Sequence, residues 1–279
     1  MMDLPFPLPE LQPGWVWLTG AGPGDPALLT LTALNGLRQA DVVVYDALVG
    51  EQILALVPAG ADLEFAGKRG GRPSPKQVDI SQKLIRLARD GKRVLRLKGG
   101  DPFIFGRGAE EALSLVEAGV PFRIVPGISS GIGGLAYAGI PVTHRDVNSA
   151  VTFLTGHNAS GQVPDNLDWA ALARGSPVLV IYMALKHLER IAGLLIAHGR
   201  PADEPVAVVS KASLPEQSVL ETTLGTCHED SLASAIEPPS LVVIGHVVRL
   251  RDGLDWLGAL DGRRLTPDPL GRRRQRALG

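Results

Sequence analysis

Asp46 closes the apolar run DVVVY, and a carboxylate at that place can take a proton or cap the following turn. Lys68 follows in Ala66-Gly67-Lys68-Arg69-Gly70-Gly71. This cationic loop with three glycines suits an anion, and the same lysine can be a plain surface charge. Three further stretches put glycines where a strand hands over to a helix. Thr19-Gly20-Ala21-Gly22-Pro23-Gly24-Asp25 lets a backbone come close to a ligand. It is not G-x-G-x-x-G, Pro23 removes an amide donor, and no Gly-Lys-Ser/Thr follows, so neither a dinucleotide fingerprint nor a P-loop is present. In RLKGGDPFIFGRG, Gly99 and Gly100 open the backbone and Asp101 stands at a strand end. That carboxylate suits an ammonium or a ribose hydroxyl, or serves as a helix cap. Phe103 and Phe105 form an apolar wall or belong to the core. PGISSG supplies Ser129 and Ser130, which cap a helix or meet a ligand.

Other residue types point away from chemistry. The six histidines form no H-x-x-x-H or H-E-x-x-H spacing, so no metal is expected. No G-x-S-x-G elbow is present. The single cysteine, Cys227, reads as a packed small residue and excludes an internal disulfide.

The elements that must position these residues alternate along the chain. WVWLT (15–19), DVVVY (41–45), RVLRL (93–97) and FRIV (122–125) read as strands. Ser74-Pro75-Lys76-Gln77 is a helix start with a capping box; Ile80, Leu84, Leu87 and Ala88 follow at helical spacing, and Gly91 ends the helix. This rhythm predicts a mostly parallel sheet with helices on its faces. After GIPVTHRDVNS, strands resume at 150–155, 178–183, 206–210, 219–223 and 240–244, so the second half also reads as α/β. The expected organisation is an extended arm over 1–14, an α/β domain over 15–145, a second over 146–260, and a basic disordered tail over 261–279.

Length and composition set outer limits. A chain of 279 residues with 45% hydrophobic and 20% charged residues is globular and long enough for two cores. A formal net charge of −1 excludes a chain-wide electrostatic grip on nucleic acid or anionic membrane. No apolar run reaches the ~20 residues of a membrane helix, and the four-proline N-terminus is no signal peptide. A cytoplasmic location is expected.

Taken in order, LTGAGPGDPALLTLTA, VVYDALV, GKRGG, RLKGGDPFIFGRG and VPGISS resemble the signature of the tetrapyrrole (precorrin) methylases. The resemblance runs from about residue 15 to residue 250. It implies two α/β domains, not of Rossmann type, with S-adenosylmethionine in a cleft between them. It also implies a homodimer. The implied activity is C-methylation of uroporphyrinogen III at C-2 and C-7, giving precorrin-2 for cobalamin or sirohaem, without a metal. Carried over, the cofactor contacts fall on Pro23, Gly99, Gly100, Asp101, Ile104, Ser129, Ser130, Met183 and Ala212. The implied base is Asp46 and the implied proton donor Lys68. Arg69, Arg107 and Met183 are candidates for binding substrate, with Arg72 and Arg145 as further cations for its carboxylates. The chain departs from the family at Ser129-Ser130, where Thr then Ala or Ser is common, and at Pro73, where histidine is common. A methylase acting on a later precorrin or on RNA, and a non-catalytic nucleotide-binding module, remain as alternatives.

Overall fold

The computed structural model describes residues 4–67, 77–158 and 160–271. The chain divides into two compact units, Met1–Ser129 and Ser130–Gly279. The first carries β1 (Val16–Gly20), α1 (Leu31–Gln39), β2 (Val42–Tyr45), α2 (Glu51–Leu54), β3 (Asp62–Phe65), α3 (Gln77–Arg89), β4 (Val94–Lys98), α4 (Gly108–Glu117) and β5 (Phe122–Val125). Its five strands are all parallel, in the order β3-β2-β4-β1-β5. In the Rossmann order β1 lies against β2; here β4 stands between them.

Alternation along each strand feeds two cores. Val16, Leu18, Val42 and Val44 pack under α3 and α4 with Leu84, Leu87, Ala112 and Leu115. Trp17, Val43, Leu95 and Leu97 pack on the other face with Ala33 and Leu37 of α1. The predicted apolar residues of α3 are buried as their spacing requires. Its predicted capping box, residues 74–77, reaches outside the described residues. Thr30 caps α1 through a 3.1 Å bond from Ala33 N–H. Residues 4–14 of the N-terminal arm form no helix or strand but are docked. Leu11 is fully buried, its N–H donates to Gln39 Oε1 at 3.0 Å, and Asn35 Nδ2 donates to the Pro9 carbonyl at 2.7 Å.

The second unit runs α5 (Gly133–Tyr137), β6 (Thr152–Thr155), α6 (Trp169–Gly175), β7 (Leu179–Tyr182), α7 (Leu188–Ala197), β8 (Pro205–Ser210), β9 (Ser218–Thr223), α8 (Cys227–Ala233), β10 (Ser240–Ile244), α9 (Arg251–Leu254) and α10 (Trp256–Leu260). Its sheet order is β6-β7-β10-β8-β9. Only β6–β7 is parallel and the other three pairings are antiparallel, so this half is α/β as expected but, unlike the first, not built on a mostly parallel sheet. The division at Ser129/Ser130 precedes the one expected near residue 145. Leu135, Ala138 and Ile140 are buried with Val180, Val209 and Val243, so α5 and its exit belong to the second core.

The tail is also corrected over its first part. Arg263 reaches Asp255 Oδ2 at 2.7 Å and Asp252 Oδ1 at 3.3 Å, Thr266 N–H donates to the Asp252 carbonyl at 2.8 Å, and Leu270 packs on the core. These bonds order residues that composition alone marks as a solvated basic end. Residues 272–279 lie outside the described part. Among the described residues no helix is long and apolar enough to cross a membrane.

Candidate functional site

The parallel sheet fixes where a ligand can approach. Strand β1 continues into α1 on one face, and β4 continues into α4 on the other. Between two strands whose connections part in this way a crevice opens at their carboxyl ends. The loops that fill it are the two glycine-rich ones. Gly22 and Gly100 form a bridge, with Gly22 N–H to the Gly100 carbonyl at 3.2 Å and Gly100 N–H to the Gly22 carbonyl at 2.7 Å. The third junction joins them. A Cβ on Gly127 would sit 2.2 Å from the Gly100 carbonyl oxygen and 2.7 Å from Gly20 Cα. A Cβ on Gly20 would meet that same oxygen at 2.5 Å. The three glycine junctions are therefore one cluster, backbone against backbone.

Asp101 ties this cluster together. Its Oδ1 accepts from Phe103 N–H at 2.8 Å and its Oδ2 from Gly127 N–H at 3.0 Å. The carboxylate thus holds the loop after β4 to the loop after β5. Phe103, Ile104 and Phe105 then project into solvent, so the aromatic pair is an exposed apolar surface and not core. Pro23, Gly99 and Gly100 are half-buried beside it. A Cβ on Gly99 would meet Leu48 Cβ at 2.9 Å, which brings the loop after β2 alongside.

Asp46 stands in that loop and does not cap it through its side chain. Its Oδ1 accepts from Arg96 Nη2 at 2.5 Å, and its Oδ2 lies 3.5 Å from Lys98 Nζ. Arg96 Nε and Lys98 Nζ each reach Glu111 Oε1 at 3.1 Å, and Gln77 Nε2 donates to the same oxygen at 2.8 Å. Arg96, Lys98 and Glu111 are buried, whereas the Asp46 side chain keeps 29% of its exposure. Sequence reasoning missed these three partners. The signal was present: Arg96 and Lys98 alternate on one face of a strand otherwise apolar, and a buried cation demands a carboxylate. Lys68, Arg69 and Arg72 lie outside the described residues. Arg107 begins α4 in the left-handed region at φ 59° and pairs with Glu110 at 2.6 Å, an exposed contact that holds the Glu110 carboxyl below its usual range. Arg145 is exposed in the second unit.

In the second unit the loop entering α5 gathers the remaining candidates. Gly131 N–H donates to Tyr182 Oη at 3.0 Å, and a Cβ on Gly134 would lie 2.7 Å from Ala212 Cβ and 3.6 Å from Ser130 Cβ. Ser130 and Ala212 are thus neighbours, and Met183 follows Tyr182 directly. Ile132, and neither Ser129 nor Ser130, is the N-cap residue of α5. Ser129 is buried at the end of the first unit. Met183 is 43% exposed with φ 56°, and Lys211 and Ser213 flank Ala212 with φ 49° and 64°. Left-handed non-glycine residues cost about 1 kcal/mol or more and gather at functional loops. Among the described residues five of the six stand after β4, β7 and β8, and the sixth, Ala235, follows α8.

Cys227 is buried and free, its thiol pushed up to about 11 by burial, as a packed residue should be. Among the described residues no group of three or more His, Cys, Asp or Glu is placed to hold a metal.

The chain belongs to the tetrapyrrole (corrin/porphyrin) methylases, whose family model matches residues 16–227. A uroporphyrinogen-III C-methyltransferase from Sinorhizobium sp is 66% identical over 97% of both chains. A siroheme synthase from Methylobacillus flagellatus is 49% identical over 88% of this chain but 52% of its own, so the chain spans about half of that relative. The crystal structure of a uroporphyrin-III C-methyltransferase from Thermus thermophilus, complexed with S-adenosylhomocysteine, superposes with a TM-score of 0.72 at 39% identity, covering 84% of this chain and 99% of that one. A cobalt precorrin-4 methyltransferase matches with a TM-score of 0.75 at 27% identity, over 84% of this chain and 96% of the other.

Proposed function

We propose that this chain transfers methyl groups from S-adenosylmethionine to C-2 and C-7 of uroporphyrinogen III, giving precorrin-2. The observation that carries this reading is the 66% identity to the Sinorhizobium methyltransferase, sustained over 97% of both chains. Local geometry supports it. A cradle whose glycines exclude any Cβ and whose rim is apolar fits a nucleoside with a thioether chain. Pro23, Gly99, Gly100, Asp101, Ile104 and Ser129 in the first unit, and Ser130, Met183 and Ala212 in the second, are proposed to hold the cofactor. Bound there, it supplies an activated methyl group on sulfur.

The chain's own residues do the rest. The strand ends align the acceptor carbon with that methyl group. Methylation makes the macrocycle cationic, and a proton must leave it; Asp46 is proposed to accept that proton. Lys68 is proposed as proton donor, and Arg69, Arg107 and Met183 as substrate contacts, the arginines toward substrate carboxylates. A homodimer and a cytoplasmic location belong to the same reading.

The test is incubation of the purified chain with methyl-labelled S-adenosylmethionine and uroporphyrinogen III under reducing conditions, followed by mass analysis. Two methyl increments are expected. Transfer to a later precorrin or to RNA instead would point to another member of the family. Stoichiometric binding of S-adenosylhomocysteine with no transfer would reduce the chain to a nucleotide-binding module. Asp46→Asn and Lys68→Met should each lower turnover by about 10²- to 10⁴-fold while leaving affinity for S-adenosylhomocysteine nearly intact. Loss of affinity in step with turnover would move both residues into the cofactor pocket.

A further inference from the structure

Arg96, Lys98, Glu111 and Asp46 make a four-charge cluster beneath the loop after β2. Arg96 is 1% exposed and Glu111 0%. The Arg96 guanidinium is fixed by Glu111 through Nε, by the Val44 and Leu97 carbonyls at 3.3 and 3.4 Å through Nη1, and by Asp46 through Nη2. Glu111 Oε1 takes three donors, while its Oε2 is buried without a partner among the described residues. Two cations face two carboxylates, so the cluster is neutral, and it meets solvent mainly through Asp46. Structure alone gives little reason for this. Well-packed apolar residues commonly stabilise as much as a buried ion cluster, without its desolvation cost.

We propose that Arg96, Lys98 and Glu111 are positioning residues that hold Asp46 at the strand end and set the pH range in which it accepts a proton. This rests on the reading of Asp46 as the proton acceptor. The charged groups around it are Arg96 and Lys98 from β4 and Glu111 from α4. Farther out stand the Arg107–Glu110 pair at the start of α4 and the Glu64–Lys83 pair between β3 and α3. Only Arg96 and Lys98 touch its carboxylate among the described residues, and only Glu111 offsets both of them.

The balance makes a signed prediction. Lys98→Met removes a cation 3.5 Å from Asp46 and leaves one cation against two carboxylates. Protonation then becomes easier, and the acid limb of the kcat profile should move up by about one pH unit. Glu111→Gln keeps size and neighbours but leaves two cations against one carboxylate, so the limb should move down by a similar amount. The double variant restores neutrality, and its limb should return close to that of the parent. A merely structural role predicts lost stability or turnover, not opposite displacements that cancel.

Turnover is measured across pH at saturating substrates, with S-adenosylhomocysteine titration to confirm a folded pocket in each variant. Limbs that stay put, move together, or fail to cancel overturn the inference. Glu111→Gln carries the test by itself should Lys98→Met not yield folded protein. Asp46→Asn separates the two levels: near-normal turnover there removes the reading of Asp46 itself, whereas lost turnover with unmoved limbs removes only the role of its partners.

Discussion

Asp101 has two backbone N–H donors, one on each carboxylate oxygen: Phe103 in its own loop and Gly127, 26 residues away from Asp101, in the loop after β5. Position in sequence leaves its role open between cofactor contact and helix cap, because the second donor, Gly127, is brought in by the β1–β5 pairing. Removing the carboxylate should therefore act twice. Asp101→Ala costs about 1.5–3 kcal/mol for the lost charge-assisted bonds. The same loosening of the Gly99–Ile104 loop should weaken S-adenosylhomocysteine binding by roughly ten- to a hundred-fold. Calorimetry and thermal melting on one preparation decide it. A lower melting temperature with unchanged binding would make Asp101 a purely structural clamp. Asp46 was legible as a residue at a strand end, and Arg96 and Lys98 were visible as two charges on one face of β4, but that they meet Asp46 was not, because a period-2 strand pattern shows which side a charge faces and not what meets it.

At the scale of elements, apolar β-branched runs made most strands visible, since burial on both faces leaves no polar alternation to confuse them. The strand that escaped is β3, Asp62–Phe65, an edge strand with two exposed residues that lacks the apolar signal. The antiparallel pairing of β7, β10, β8 and β9 escaped as well, because strand direction depends on connections and not on strand composition. The glycine junctions were legible singly as loops that let something approach closely. That the something includes one another's backbone required the sheet order. Gly127→Ala tests this. Its Cβ would lie 2.2 Å from the Gly100 oxygen, a backbone atom that cannot rotate away. The loop must shift, so we expect a loss of at least 2 kcal/mol, on the scale of about 1–3 kcal/mol or more for overpacking, with cofactor affinity falling too. A melting temperature within one or two degrees of the parent would show that the cluster yields more easily than its contacts suggest. Gly91→Ala is the comparison. Nothing stands within 4 Å of its Cβ, so only its φ of 74° resists the change.

For the molecule as a whole, composition marks the end of the chain as a solvated tail, yet the second unit uses part of it. Burial works to push the Asp255 carboxyl up, but the Gly258 N–H, Arg251 and Arg263 outweigh it and hold it below the usual carboxylate range. Arg263 also lies 3.3 Å from Asp252 and 3.6 Å from Glu221, so one arginine joins β9, α9 and α10. Truncation after Leu260 removes that arginine, the Thr266 bond to Asp252 and the packing of Leu270. These contacts sum to roughly 1–3 kcal/mol, a fall of several degrees in melting temperature for a chain this size. Truncation after Gly271 keeps all of them and should melt like the full chain. The electrostatic part has a definite sign with pH. A carboxyl whose folded value lies below its unfolded one contributes stability above the unfolded value and loses it as pH falls through the folded one. The gap between the two truncations should therefore be widest near neutral pH and narrow in acid, to what Leu270 and Thr266 supply. Melting both chains from pH 7 down to well below the ordinary aspartate value of about 3.9, to about pH 2.5, checks it. Equal melting temperatures at neutral pH would return residues 261–271 to the solvated tail that their composition suggests.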